Sequence, residues 1–200
     1  MRAPSGSVVE LIGNPRPASR TRALADLVAV RLSHALGEPG PVTGSHGIPL
    51  GEPVVIELGD AVGVSFGPEP VRVRTPLVDP FGTVIRARLL VVATPTYKAT
   101  YSGLLKIFLD QLSQGDLARV VAVPVAIAGA PAHRESVSSA LHELLVELGA
   151  QVPAPALALL ESEVADQEAH VGRWVTAYAA GLAESLTDLS RVAETSGAHG

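Results

Sequence analysis

The chain has 200 residues, 47% apolar and 18% charged, enough for one well-buried domain and short for two. Its formal charge of −5 argues against a general binder of nucleic acid or anionic membrane. The absence of cysteine excludes disulfides, thiolate metal sites and thiol catalysis, and fits a reducing compartment.

The first apolar run, VVELIG at 8–13, carries Glu10 and is too short for a secretory signal. No run approaches the roughly 18–20 apolar residues that span a bilayer, so the expectation is a soluble, cytoplasmic protein. A helix follows, with Leu24, Leu27, Val28 and Leu32 at spacings of three and four and Ser19 or Thr21 as its cap. Residues 37–53 are rich in Gly and Pro and read as a long loop. VVIEL (54–58) is the second strand. Prolines and Gly82 break most of 59–87, leaving room for a short helix at 83–88. LLVVATP (89–95) reads as a buried strand, and Leu104, Leu105, Phe108, Leu109 and Leu112 mark one face of the helix after it. VVAVPVAIAG (120–129) is the next strand. The helix bearing Val137, Leu141, Leu144, Leu145 and Leu148 follows, closed by Gly149. PALALL (155–160) is the last strand, and 163–187 form the last helix. The small, polar tail from 189 is expected to be disordered, which leaves one domain over 1–188.

Strands without apolar–polar alternation are buried on both faces. Strands joined by helices run parallel with right-handed crossovers. The expected fold is therefore α/β, a doubly wound five-stranded parallel sheet with helices on both faces. Ligands of such sheets sit beyond the carboxyl ends of the strands, which places function just after 13, 58, 94, 129 and 160.

The first of these ends, GNPRPASRTR (13–22), offers Asn14, Arg16, Ser19, Arg20 and Thr21 at a helix start. Free N–H groups and the helix dipole there favour an anion, although neither GxGxxG nor GxxxxGK[ST] is present. A capped helix with solvated arginines is the competing reading. The third end, PTYKATYSG (95–103), holds two of the chain's three tyrosines. Pro95 stops the strand, and Thr96, Tyr97 and Lys98 lie across the sheet's edge, where backbone groups and an aromatic wall suit a flat polar ring. Alternatively, Tyr97 and Tyr101 cover the helix end. At the fourth end Gly129 and Ala130 are small enough for close ligand approach. His133 there reads as a helix-start residue, and none of the six histidines shows metal spacing.

GNPRPASRT followed by ATPTYKATYSGLLKIFLDQL resembles the NAD(P)H-dependent FMN reductases of the flavodoxin-like fold, over roughly residues 8–187. It is most similar to those that supply reduced flavin to two-component monooxygenases such as the alkanesulfonate systems. The resemblance implies hydride transfer from NADPH or NADH to FMN. It puts Asn14, Arg16, Ser19, Arg20 and Thr21 on the FMN phosphate, Pro95, Thr96, Tyr97 and Lys98 on the isoalloxazine, and Gly129 and Ala130 in the second ring loop. Tyr101 matches a tyrosine associated with a π-bulge in the following helix, and that helix packs against another subunit of a homodimer or homotetramer. A flavin-dependent monooxygenase is the implied partner. Asn14 stands where serine is usual and Ala130 where glycine is usual, and 37–88 match poorly. A quinone or azo reductase that retains its FMN, and a flavodoxin-like electron carrier, stay open beside this reading.

Overall fold

The computed structural model describes residues 8–39, 47–61 and 79–197. Parts of the expected loop at 37–53 and of the broken stretch 59–87 lie outside the described residues. The five apolar runs form β1 (Val8–Ile12), β2 (Val54–Glu57), β3 (Leu89–Pro95), β4 (Val121–Ala128) and β5 (Leu157–Leu160). They make one parallel sheet in the order β2-β1-β3-β4-β5. That is the flavodoxin-like order, with its topological switch between β1 and β3. β1 and β4 are buried at every residue, Glu10 and Pro124 included, as expected of strands covered on both faces. Pro124 is tolerated in β4. The N–H of Ala122, two residues earlier, bonds to Gln151, whereas pairing with β5 begins only at Val125. The missing donor therefore falls in a gap of the ladder.

Helices cover both faces: α1 (Arg20–Gly37), α2 (Leu58–Ala61), α3 (Pro80–Ile85), α4 (Gly103–Leu109), α5 (Pro131–Glu147) and α6 (Gln167–Gly197), the last preceded by a 3-10 turn over Glu161–Asp166. Alternate strand residues feed two cores. Val8, Ile12, Val91 and Val123 pack with Leu24, Val28 and Leu32 of α1 and Val171, Leu182 and Leu186 of α6. Val9, Leu11, Leu90 and Val92 pack with Val84, Leu105, Phe108, Leu109, Leu141 and Leu145 on the other face. With so few aromatics, stability comes from many aliphatic side chains, each contributing about 1.5–3 kcal/mol on full burial.

Three elements differ from expectation. α3 starts at Pro80 rather than after it, because Asp79 caps it through Gly82 N–H (2.8 Å) and proline at the first helical position lacks only an N–H that would be unpaired anyway. α6 continues through Gly197, beyond the expected end of the last helix at 187. Leu189 packs on the core, and Ser190 accepts a 2.8 Å bond from Arg88. α4 contains no π-bulge. It is α-helical from Gly103 to Leu109 and then tightens, with Gln111 and Leu112 donating three residues back.

Candidate active site

The ends of β1, β3 and β4 meet because their registers are fixed. Gly13 N–H bonds to Ala93 O (2.7 Å) and Thr96 N–H to Ile127 O (2.9 Å). Gly13 has to be glycine, since a Cβ there would lie 2.8 Å from the Cβ of Leu105.

The first loop is held from within. Asn14 is buried. Its amide donates to Thr21 Oγ1 (3.1 Å), and its oxygen accepts from Arg16 N–H (2.9 Å). Ser19 caps α1 by accepting from Arg22 N–H at 3.2 Å. Ala18 adopts φ 50°, and its N–H donates to Glu57 Oε1 (3.3 Å). Asn14, Ser19 and Thr21 thus shape the loop. What they leave for a ligand is the hydroxyl protons and the backbone N–H groups of Arg20 and Thr21, which have no acceptor among the described residues. The guanidinium of Arg16 forms no ion pair among the described residues, whereas Arg20 is 3.0 Å from Glu161.

The third loop is a tight turn. Tyr97 and Thr100 exchange backbone bonds of 2.9 and 3.3 Å around Lys98 and Ala99, both at positive φ (53° and 67°). Positive φ at both central positions is the type I′ pattern, which normally takes Asn-Gly. All the non-glycine residues at positive φ among the described residues lie in these two loops, a concentration of strain typical of binding sites. Below the turn, Ser102 caps α4 through Leu105 N–H (3.1 Å) and donates to Gly13 O (2.5 Å). Its own N–H bonds to Thr94 Oγ1 (3.0 Å), so the first and third loops are joined. Tyr101 is half-buried against the second core.

These loops enclose a cleft of about 810 Å³, within the range of small-molecule sites. Asn14, Arg16, Ser19, Arg20, Thr21, Pro95, Thr96, Tyr97, Lys98 and Gly129 all line it. Ala130 does not; it is the N-cap of α5, behind Gly129. Pro17, Ala18, Ile127, His133 and Glu161 complete the wall. His133 is at a helix start, as read from the sequence, and also faces the cleft. Glu161 follows the fifth strand end, where position alone signalled function.

Two features fit a phosphorylated flat ring. Among the described residues Thr96 Oγ1 is buried in the ledge without a partner, and a Cβ at Gly129 would meet nothing within 4 Å, so the wall is open there. The cationic end supplies the charge-assisted donors that a phosphate needs.

Glu10 is fully covered on β1, facing α1 under the first loop. Arg22 stands 4.0 Å from it, 2.6 Å from Asp26 and 3.8 Å from Glu57. Burial, then the hydrogen bond and charge of Asp26, push Glu10 up to about 8 against the opposing pull of Arg22.

Residues 7–163 match the family of NADPH-dependent FMN reductases. The chain belongs to that family. An FMN reductase (NADPH) of Pseudomonas putida is 40% identical over 85 residues, 42% of this chain and 43% of the relative. An NADH-dependent FMN reductase, SfnE, also of Pseudomonas putida, is 33% identical over 64% of this chain and 62% of its own length. Each alignment spans less than two thirds of the relative. Among solved structures, an apo NADH:FMN oxidoreductase is 26% identical with a TM-score of 0.60, covering 86% of this chain and 89% of the other. The FMN reductase family match includes the first, third and fourth loops that form the cleft.

Proposed function

We propose that the chain binds FMN in this cleft and catalyses NAD(P)H + FMN + H⁺ → NAD(P)⁺ + FMNH₂. The observation that carries the reading is the convergence, inside the family-matched segment, of a cationic helix start and a flat, partly unsatisfied ledge on one sheet edge. FMN, when bound, supplies the hydride-accepting ring, so no protein acid or base has to carry the redox chemistry. Arg16, Arg20 and the first N–H groups of α1 hold the phosphate. Tyr97 walls the ring, the Thr96 hydroxyl gives its polar edge a partner, and Gly129 leaves room for it. The strained 97–100 turn keeps this ledge in place before ligand arrives, which lowers the ordering cost of binding. Lys98, which lines the cleft beside Tyr97, is the cation that the ledge would offer to the reduced ring.

In this reading the reduced flavin passes to a flavin-dependent monooxygenase, the partner implied by the resemblance of GNPRPASRT and ATPTYKATYSGLLKIFLDQL to the reductases of two-component systems. No helix among the described residues is long and apolar enough to cross a membrane. The test is steady-state loss of the reduced-nicotinamide absorbance with FMN, FAD and riboflavin in turn. Turnover with FMN in preference to riboflavin supports the reading, and no turnover with either nucleotide and any flavin ends it. Flavin that stays on the protein through gel filtration after reduction would favour a quinone or azo reductase instead.

A further inference from the structure

Glu161 and Arg20 are 141 positions apart in sequence, yet their side chains meet at 3.0 Å across the cleft's cationic end, and both line it. Arg20 opens α1, and its position is set by the Ser19 cap. Glu161 opens the 3-10 turn after β5. That turn's backbone is anchored by Glu163, which accepts from Leu160 N–H (2.8 Å) and pairs with Arg134 (3.2 Å). Both backbones are fixed while both side chains remain more than half exposed (59% and 56%), so the pair can open at little cost. The neighbouring Arg22 is already committed to Asp26.

Among the described residues, an anion that arrives at this end meets one cation without an ion pair, Arg16, and one that already holds a carboxylate, Arg20. Building on the FMN reading, we propose that Glu161 is a specificity-determining residue: it occupies Arg20 in the ligand-free protein and competes with the flavin phosphate for it. The phosphate then gains only the difference between its own pairing with Arg20 and the pairing it displaces. Flavin therefore binds as an exchangeable substrate rather than a resident group. The competition acts on the phosphate alone, so it lowers the preference for FMN over riboflavin without touching the ring.

The experiment is titration of FMN and riboflavin fluorescence with wild type, Glu161→Gln, Arg20→Gln and the double variant, at low and high salt. Glu161→Gln is expected to tighten FMN about two- to five-fold at low salt, the range of exposed ion pairs. Riboflavin affinity stays unchanged, and the gain shrinks at high salt. In the Arg20→Gln background the gain disappears, because the two residues act as a coupled pair. Equal or weaker FMN binding by Glu161→Gln, tightening shared by riboflavin, or the same gain without Arg20 would each overturn the proposal. Wild type that binds no FMN at all would remove the functional reading itself and this inference with it, an outcome distinct from the others. Circular dichroism of each variant confirms that the fold is intact.

Discussion

A Cβ built at Gly129 meets no protein atom within 4 Å, and the position lines the cleft. A side chain there projects into ligand space without disturbing the packing. Gly129→Leu is therefore expected to unfold within a few degrees of wild type while FMN affinity falls about ten-fold or more, the loss of roughly 1.4 kcal/mol or more of binding. Unchanged FMN affinity in a folded Gly129→Leu protein would mean that the ring does not pass this wall. Glu10 is a residue-scale case of the opposite kind, a carboxyl placed where charge is costly. Its folded value of about 8 lies above its ordinary value of 4.5, so the folded state keeps a proton that the unfolded chain releases. The stabilisation is complete below about 4.5 and is lost as pH rises towards 8, at no more than about 1.4 kcal/mol per pH unit. Urea unfolding at pH 5 and pH 8 should show Glu10→Gln losing less stability over that interval than wild type. Parallel losses in both proteins would remove the assignment.

At the scale of elements, the joint between loops depends on one hydroxyl. Ser102 starts α4 and ties it to Gly13 of the first loop, and it is almost wholly buried. Ser102→Ala removes a helix cap and leaves the carbonyl of Gly13 without that donor, together about 2–3 kcal/mol. In a chain of this size that corresponds to a fall in melting temperature of roughly 4–12 °C. A variant that melts with the wild type would show that the loops are joined by other means. Helix faces and strand runs were legible because burial imprints a local period on the sequence: Leu105, Phe108, Leu109 and Leu112 are all buried, and β3 and β4 follow their apolar runs. Pro80 was misread because proline breaks a helix only inside it. At the first position it begins one, and the difference lies with Asp79, whose carboxylate caps Gly82. The positive φ of Lys98 and Ala99 had no signature either, since neither residue favours it. The turn is imposed by the strand end on one side and the Ser102 cap on the other.

For the whole molecule, Phe81 (36% exposed) and Ile107 (42% exposed) leave apolar surface beside α4, with Phe81 stacked on Phe108 at 4.5 Å. A homodimer or homotetramer built partly on α4 would cover it. Light scattering is expected to give a multiple of the 20.6 kDa chain mass that Ile107→Glu lowers, and a monomeric wild type at micromolar concentration would contradict this. By itself the sequence determined where the five strands and the helices α1, α4 and α5 run, that the strands lie inside a parallel sheet, and that their carboxyl ends carry Arg16, the 95–98 ledge and Gly129. Those properties are local: the alternation or continuity of apolar side chains, and the residues that stop them. Tertiary structure alone decided which ends meet. The strand order brings Glu161 to Arg20 and Glu57 to Ala18, and α1 lays Arg22 and Asp26 over Glu10. Contacts across such separations leave no period in the chain, because they are set by which buried surfaces pack together and not by the residues that happen to face each other once they do.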